Sequence, residues 1–203
     1  MSETTDKLKY ERQFLSEGKR YIAGIDEVGR GPLAGPVVCA VVIMPLDDDS
    51  IIEGVDDSKK LSEKKRELIA EKIKRTAIDY KICEVSPEEI DEINILQATI
   101  KCMQNCVNGL KIKPDMLLVD AVKADFGVPS ASIIKGDALS YSIGAASIIA
   151  KVYRDALMCE YAKVYPEYGF EKHKGYGTKT HIDAIKAHGA TPIHRKTFIK
   201  NFV

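Results

Sequence analysis

The chain has 203 residues, a length that suits a single domain over residues 1–203 with one hydrophobic core. Apolar residues make up 45% of the sequence and charged residues 30%, which is typical of a water-soluble globular protein. Thirty basic residues balance thirty acidic residues, so net charge alone indicates no class of partner. The longest apolar run, residues 37–44, is too short to cross a bilayer, and the N-terminus lacks the apolar stretch of a signal peptide. We therefore expect a cytoplasmic protein that does not bind membranes.

The first half of the chain begins with a predicted amphipathic helix at 5–18. Two apolar strands follow at 21–26 and 35–44, and the short Gly/Pro turn between them predicts antiparallel pairing. Ser62 is expected to cap a helix that runs to about residue 76. A third strand is predicted at 78–85.

The second half alternates helices and strands. Residues 86–89 (SPEE) form a capping box that predicts a helix reaching about residue 110. Short strands are predicted at 116–120 and 132–135, a long helix at 137–164 and a last helix at 179–188. Neither a G-x-G-x-x-G after the first strand nor a P-loop motif occurs. This order of elements predicts an α/β fold with a mixed sheet.

The last part of the chain is basic. From residue 161 to 203, eight Lys and Arg residues stand against three acids, and all four histidines lie there too. Such a segment predicts either a local phosphate-binding surface or a solvated charged face.

The five cysteines are an odd number and form no C-x-x-C pair. This pattern predicts buried, reduced thiols in a reducing compartment. A zinc site at Cys102 and Cys106 is the alternative, but no further ligand lies near them in the sequence.

Acidic residues end two predicted strands and open the long helix. Asp26 and Glu27 end the first strand, Asp120 ends the fourth, and Asp137 precedes the helix. Ligand sites in α/β sheets form at the carboxyl ends of strands, and clustered carboxylates raise one another's pKa unless a cation neutralises them. Oxygen ligands suit Mg²⁺ or Mn²⁺, and two such ions about 4 Å apart form a phosphoryl-transfer site. Alternatively, Asp137 caps its helix and Asp120 belongs to a turn.

Three further patterns allow both a binding and a structural interpretation. The glycine-flanked arginine at 29–31 either exposes backbone groups that read a ribose 2′-hydroxyl or forms a tight turn. Tyr176, between two glycines, either stacks on a base or sugar or packs on its own domain. A stripe of small and polar residues on the long helix lets a nucleic-acid strand or another protein segment approach; its members are Asp137, Ser140, Gly144, Ser147, Lys151 and Asp155.

Seven short motifs follow one another between about Tyr21 and Phe198. They are GIDEVGRGPLAGPVV, DSKKLS, LLVDA, KGDALS, IGAASIIAKVYRD, HKGYGTKTH and PIHR. Together they resemble the bacterial ribonuclease HII family. The resemblance implies an RNase H-like fold with a central five-stranded mixed sheet, helices on both faces and a C-terminal helical segment. It also implies that the C-terminal part, about 165–203, contributes substrate contacts.

The resemblance assigns roles to individual residues. The residues implied to be catalytic and to bind metal are Asp26, Glu27, Asp120 and Asp137. Those implied to contact substrate are Gly29, Arg30 and Gly31 at the 2′-hydroxyl, Tyr176 at the RNA-to-DNA junction, and Lys59 at a phosphate. The residues implied as further candidates for contacts with the nucleic-acid strands are Ser140, Ser147, His194 and Arg195. Asp155 is expected to be structural and to form an ion pair with a nearby basic side chain.

The implied activity is that of a metal-dependent endonuclease. It hydrolyses RNA in RNA–DNA hybrids and cuts 5′ of single ribonucleotides in duplex DNA, leaving a 3′-hydroxyl and a 5′-phosphate. Two Mg²⁺ or Mn²⁺ ions, bridged by Asp26, are implied, and the biological role is ribonucleotide removal. We expect a monomer. The terminal TFIKNFV segment is expected to pack on the core as a helix, and the alternative is a tail that binds a sliding clamp.

The alternatives to this function are a related ribonuclease H type, a hybrid-binding protein without catalysis and a small-molecule phosphohydrolase. Type HIII relatives carry an extra N-terminal substrate-binding domain, whereas only about twenty residues precede the first strand here. Type I enzymes lack the adjacent Asp-Glu pair and the Gly-Arg-Gly loop. A hybrid-binding protein without catalysis would gain affinity by losing the four acids. A small-molecule phosphohydrolase would have no use for a basic loop that carries an aromatic residue.

Overall fold

The computed structural model describes residues 6–55 and 61–201. Its strands form one sheet and are β1 (Ile22–Val28), β2 (Val37–Ile43), β3 (Asp79–Val85), β4 (Met116–Asp120) and β5 (Ser130–Ile133). They lie in the order β3-β2-β1-β4-β5. The first strand, β1, runs antiparallel to β2 and parallel to β4. The predicted five-stranded mixed sheet and the antiparallel pairing of the first two strands are confirmed.

Helices cover both faces of this sheet, as the family resemblance implies. They are α1 (Lys9–Ser16), α2 (Glu63–Thr76), α3 (Pro87–Asn108), α4 (Gly136–Leu139), α5 (Tyr141–Val164), α6 (Phe170–His173), α7 (Lys179–His188) and α8 (Lys196–Ile199). Every side chain of β2 is buried. Its odd-numbered residues pack with α3 on one face, and its even-numbered residues pack with α2 and α5 on the other. Within the described residues, no helix is long and apolar enough to cross a membrane.

Two predicted helix starts are confirmed by their caps. The Ser62 hydroxyl accepts a hydrogen bond from the Lys65 backbone N–H at 3.4 Å, and the Ser86 hydroxyl accepts one from the Glu89 N–H at 3.3 Å. The helix after Ser86 is not continuous, however, because Asn94 has φ 68° and ψ 163°. The Asn94 side chain accepts hydrogen bonds from two following N–H groups, at 3.0 and 3.2 Å, and so restarts the helix after the kink.

The long helix begins later than predicted. Asp137 lies in the short helix α4, and Ser140 is the N-cap of α5, with its hydroxyl accepting from the Ile143 N–H at 3.2 Å. The buried Glu11 carboxylate of α1 accepts from the Ser140 hydroxyl at 2.6 Å and from the Ser142 N–H at 2.9 Å. A negative charge at a helix N-terminus is favourable, so Glu11 and Ser140 together fix the start of α5. The expectation that Asp137 caps this helix is wrong.

The predicted loop at 167–177 also contains helical structure, a 3₁₀ turn at Pro166–Tyr168 followed by α6. The C-terminal elements form an apolar cluster with the β1–β2 connection and the end of α5, through Ala34, Met158 and Phe170 among others. Ile199 of α8 is 1% exposed, and Phe198 packs against the core on the α3 side of the sheet. The expected packing of the terminal segment on the core is confirmed for its described residues.

All five cysteines are free thiols, as predicted, but only Cys39, Cys102 and Cys106 are buried; Cys83 and Cys159 are half-buried. Cys39 and Cys83 are paired neighbours on β2 and β3, and Cys102 and Cys106 face them from α3, with each helix thiol 3.2 Å from a strand carbonyl oxygen. Among the described residues, no group of three or more His, Cys, Asp or Glu side chains is arranged to hold a metal ion. This gives no support to the alternative of a zinc site at Cys102 and Cys106.

The backbone of β1 lies directly under the first turn of α5. A Cβ atom added to Gly24 would lie 2.1 Å from the Ser142 carbonyl carbon, well inside van der Waals contact. Position 24 therefore accepts only glycine, and this close approach sets the height of α5 above the strand that carries Asp26 and Glu27.

We predict that Gly24→Ala lowers the free energy of unfolding by about 3 kcal/mol, the upper end of the usual cost of overpacking a core. Gly18→Ala is the matched control, because its added Cβ meets nothing within 4 Å while its φ of 84° still opposes a side chain. That control should cost about 1 kcal/mol. Urea unfolding of both variants measures the difference, and equal losses would contradict the close approach.

Candidate active site

Three carboxylates meet at one edge of the sheet. Asp26 and Glu27 lie inside β1, which continues to Val28 and not, as predicted, only to Asp26. Asp120 is the last residue of β4, the parallel neighbour of β1. Since parallel neighbours end at the same edge, the three side chains line one cavity of about 210 Å³.

The rest of the cavity wall comes from α5 and from the C-terminal region. Ser147 and Lys151 contribute from successive turns of α5, and Tyr176 contributes from the loop before α7. Position 151 belongs to the polar stripe of the long helix, but sequence reasoning gave it no functional role. The available signal was that Lys151 follows Ser147 by four residues, which places both on one face of the helix.

Asp26 is a buried carboxylate with two acidic neighbours. It is 6% exposed, and burial together with the charges of Glu27 and Asp120 raises its pKa well above the ordinary value. Two hydrogen bonds to the Asp26 carboxylate lower its pKa, one from the Ser147 hydroxyl and one from the Glu27 backbone N–H at 2.8 Å. The fold thus keeps a buried carboxylate in the field of two others.

Glu27 is held differently. Burial raises its pKa, the guanidinium of Arg30 lowers it, and the charge of Asp120 raises it again. Its Oε1 lies 3.5 Å from Arg30 Nη1, while its Oε2 is buried and accepts no hydrogen bond from the described residues. A buried carboxylate oxygen without a partner is costly, so this atom fits a ligand that brings positive charge.

A divalent cation fits this arrangement. The ligands available are carboxylate oxygens, which Mg²⁺ and Mn²⁺ prefer. The described residues hold no preformed cage of three or more ligand side chains. Mg²⁺ commonly binds through one or two carboxylates and completes its coordination with water and substrate phosphate. The three acids of the cavity therefore suit an ion that binds together with a phosphate.

Asp137 is not among the residues that line the cavity. It is 9% exposed, and its carboxylate accepts a hydrogen bond from the Ala138 N–H at 2.9 Å. The preceding residue, Gly136, donates its N–H to Asp120 Oδ1 at 2.7 Å. This bond ties the α4 turn, and with it Asp137, to the end of β4.

Asp155 has the structural role that the sequence predicts. Its carboxylate lies 2.7 Å from the Lys151 ammonium and 3.9 Å from a guanidinium nitrogen of Arg66. The pair with Lys151 also fixes the direction of an ammonium group that lines the acidic cavity.

The 29–31 loop and Tyr176 face each other at the mouth of the cavity. Arg30 and Gly31 are exposed, and Gly29 has φ 92°. A Cβ added to Gly31 would meet only the Tyr176 ring, at 3.9 Å, and Tyr176 is 44% exposed. The structure therefore brings the predicted ribose-reading loop and the predicted stacking residue together.

Arg195 lies behind this loop and not at the cavity. It is fully buried, and its guanidinium donates to the carbonyl oxygens of Gly29 at 2.6 Å, Arg30 at 2.9 Å and Gly35 at 2.8 and 3.0 Å. Burial and the positive charge of Arg154 lower its pKa to about 9. The expected direct contact of Arg195 with a nucleic-acid strand is corrected, because the guanidinium is occupied by the protein backbone.

A second fully buried arginine, Arg154 of α5, acts in the same way. It donates to the carbonyl oxygens of Pro36 at 3.0 Å, Ala34 at 3.1 Å and Lys174 at 2.9 Å. Sequence reasoning missed this residue. Its presence in a motif was visible, but a buried arginine that binds only carbonyl groups has no sequence signature.

His194 is also internal. It is 2% exposed, its Nδ1 accepts from the Thr191 N–H at 2.9 Å, and its Nε2 lies 3.0 Å from Nε2 of His181. Nδ1 of His181 lies 2.9 Å from the Tyr176 carbonyl oxygen, which can only accept. These partners assign both rings as neutral: His194 donates to His181, and His181 donates to Tyr176. His194 therefore supports the Tyr176 loop from inside and does not contact a nucleic-acid strand, contrary to expectation.

Two other predicted contacts have different outcomes. Ser140 is fully buried and caps α5, so its expected contact with a nucleic-acid strand is corrected too. Ser147 lies at the cavity beside Asp26, where a contact remains a prediction. Lys59 lies outside the described residues.

We predict that acid destabilises the protein through the two buried histidines. Burial lowers the pKa of His194 from 6.5 to about 4 and lowers that of His181. Their contribution to stability is complete above pH 6.5 and is lost as the pH falls toward 4, because only the unfolded chain takes up protons in that window. Thermal melts between pH 7.5 and 4.5 should show a smaller fall for His194→Asn than for the wild type. The exposed His188→Asn is the control and should keep the wild-type slope.

We also predict that Asp26→Asn stabilises the protein without divalent ions. The substitution removes the buried charge among three neighbouring carboxylates, so the melting temperature in EDTA at pH 8 should rise. The gain should shrink toward pH 5, since protonation of Asp26 relieves the same repulsion. Mg²⁺ or Mn²⁺ should raise the melting temperature of the wild type more than that of the variant. A lower melting temperature for the variant in EDTA would contradict this electrostatic account.

Residues 23–201 match the family model described as Ribonuclease HII. The chain is 57% identical over 190 residues to ribonuclease HII of Bacillus cytotoxicus, covering 94% of this chain and 73% of that protein. It is 55% identical over 195 residues to ribonuclease HII of Clostridioides difficile, covering 96% and 76%.

Solved structures agree on the fold. Ribonuclease H2 from Pyrococcus horikoshii matches with a TM-score of 0.76 and 30% identity, covering 90% of this chain and 97% of that chain. The ribonuclease HII of Archaeoglobus fulgidus, solved in complex with PCNA, matches at 0.75 and 29%, covering 89% and 96%. A Bst-RNase HIII structure with Mn²⁺ matches at 0.65 and 18%, covering 88% and 67%, and shows the fold alone. The predicted RNase H-like fold is confirmed. The chain belongs to the ribonuclease HII family and is an enzyme of the ribonuclease H class, which hydrolyses RNA in RNA–DNA hybrids.

Proposed function

We propose that this enzyme cuts the phosphodiester bond on the 5′ side of a ribonucleotide, both in long hybrids and at single ribonucleotides in duplex DNA. The products are a 3′-hydroxyl and a 5′-phosphate. One observation carries the proposal: the cavity lined by Asp26, Glu27 and Asp120 opens beside an exposed glycine-flanked loop and an exposed tyrosine. Phosphate chemistry and ribose recognition would thus take place at adjoining surfaces.

The four acids, Asp26, Glu27, Asp120 and Asp137, would hold the two proposed divalent ions. Two bound Mg²⁺ or Mn²⁺ ions supply activation of a water molecule and neutralisation of the departing 3′-oxygen. The buried, unpartnered Oε2 of Glu27 and the raised pKa of Asp26 support this assignment. Asp137 completes the set from α4, where Gly136 ties it to Asp120.

The exposed surface beside the acids would bind the nucleic acid. We propose that backbone groups of the 29–31 loop bond the ribose 2′-hydroxyl, the group that distinguishes RNA from DNA. Tyr176 would stack on the neighbouring nucleotide at the RNA-to-DNA junction. Lys151, Ser147 and the unplaced Lys59 are proposed to contact phosphate or the reacting groups. In this way the C-terminal part, 165–203, contributes to binding through Tyr176 and its basic neighbours.

The proposed cellular role is removal of ribonucleotides from DNA during replication and repair. Five free thiols support a reducing cytoplasm as the site of action. We propose a single catalytic domain that works as a monomer. A sliding clamp is a further proposed partner, since the A. fulgidus relative was solved with PCNA. Phe198 packs against the core in this chain, so it does not supply a free aromatic residue to a clamp.

The proposal is tested with a DNA duplex that carries one ribonucleotide in the middle of one strand. We expect a nick 5′ of that ribonucleotide in Mg²⁺ or Mn²⁺, none in EDTA, and ends that a ligase and a polymerase accept as 5′-phosphate and 3′-hydroxyl. Asp120→Asn should keep the fold and lose at least roughly 100-fold in activity, because even indirect partners of metal ligands typically cost 10- to 100-fold. Binding of the duplex without any cleavage would favour a hybrid-binding protein instead.

Tyr176→Ala tests recognition of the junction. Loss of stacking costs about 1–3 kcal/mol per base, so kcat/KM on the single-ribonucleotide duplex should fall roughly 5- to 150-fold, and by less on a long hybrid. Tyr153→Ala is the matched control, since Tyr153 is similarly exposed, at 41%, but does not line the cavity. Equal losses on both substrates would count against junction stacking.

A further inference from the structure

The two substrate-facing loops are joined by one side chain. Arg154 donates to Ala34 and Pro36, at the end of the segment that begins with the 29–31 loop, and also to Lys174, two residues before Tyr176. No other described side chain donates hydrogen bonds both to the segment 29–36 and to the segment 174–176.

The bonding of Arg154 is unusual for a buried cation. A fully buried charge normally lies beside a group of opposite charge. Within 6–55 and 61–201, neither Arg154 nor Arg195 forms an ion pair, and every hydrogen bond they donate goes to a backbone carbonyl oxygen. Their fixed, planar donor groups are thus used entirely on the backbone of segments 29–36 and 174, which lie behind the reading surface.

The 29–36 segment, the 174–176 segment and Arg154 are closely packed against one another. A Cβ added to Gly29 would lie 2.2 Å from Arg154 Nε, and one added to Gly175 would lie 2.5 Å from the Ala34 carbonyl oxygen. The Leu33 N–H also donates to the Gly175 carbonyl oxygen at 2.8 Å. A shift of either loop would therefore displace the other or break these contacts.

We propose that Arg154 is a positioning residue that sets the distance between the backbone of the 29–31 loop and the Tyr176 ring. The ribose 2′-hydroxyl and the neighbouring nucleotide are then read as one unit. This inference rests on the proposed function. It adds that recognition of the 2′-hydroxyl and stacking on the neighbouring nucleotide are coupled. The coupling passes through Arg154, which touches no substrate.

The first test is a double-mutant cycle with Arg154→Gln and Tyr176→Ala. Arg154→Gln should lower kcat/KM on the single-ribonucleotide duplex roughly 10- to 100-fold, as expected for a misplacement of about 1 Å, and should lower it less on a long hybrid. Adding Tyr176→Ala to Arg154→Gln should cost less than threefold more, because the ring is already misplaced. Arg154→Lys should not restore activity, since an ammonium group cannot reproduce the fork of donors to three carbonyl groups.

A purely structural role gives a different pattern. It predicts losses that multiply in the double variant and are equal on both substrates, and either result would overturn the proposal. Ile73→Val, at a fully buried core position of α2, controls for lowered stability and should leave the substrate ratio unchanged.

The second test needs no activity. Amide hydrogen exchange of Arg154→Lys should show faster exchange at Leu33, which bonds Gly175, and at Tyr176, with protection in β2 and α3 unchanged. Faster exchange at only one of these sites, or throughout the chain, would overturn the coupling. If the wild type itself fails to cut at a single ribonucleotide, the proposed function fails, while the exchange result still decides whether Arg154 joins the loops.

Discussion

The repulsion among three neighbouring carboxylates, of which Asp26 is buried and Glu27 and Asp120 are half-buried, is the constraint on which the rest of the structure depends. Asp26, Glu27 and Asp120 are brought together because β1 and β4 are parallel neighbours that end at the same edge of the sheet. Burial raises the pKa of Asp26 and of Glu27, and the neighbouring charges raise it further. The protein offsets this only in part, with the Ser147 hydroxyl and the Arg30 guanidinium. The excess negative charge that remains suits the site to divalent cations, which in turn bind phosphate.

The elements around the acids are fixed by contacts that leave little freedom. Glycine at position 24 lets α5 approach β1 so closely that Ser147 and Lys151 reach the cavity. The buried Glu11 carboxylate holds the N-terminus of the same helix. One turn beyond Lys151, the helix supplies Arg154 to the substrate-facing loops. A single helix thus connects the acidic cavity with the surface that would read the nucleic acid.

Much of this could be predicted from the sequence because it depends on local patterns. Apolar, β-branched runs gave the strands, Ser62 and Ser86 gave two helix starts, and the acids at strand ends gave the site. The late start of α5 was not predictable in this way, because it depends on the bond between Ser140 and Glu11, which are far apart in the sequence. The kink at Asn94 was missed although asparagine is a common capping residue. Ser140, His194 and Arg195 were predicted to contact nucleic acid but are buried, since polar residue types in a motif do not reveal whether their partners are substrate or backbone.

The most direct measurement of the central claim is anomalous diffraction from crystals of the protein with Mn²⁺ and an uncleavable duplex that contains one ribonucleotide. The account predicts two manganese peaks about 4 Å apart, with carboxylate oxygens of Asp26, Glu27 and Asp120 at bonding distance and the ribose 2′-hydroxyl beside the 29–31 loop. Manganese peaks elsewhere on the surface, with the three carboxylates protonated and bonded to one another, would contradict it.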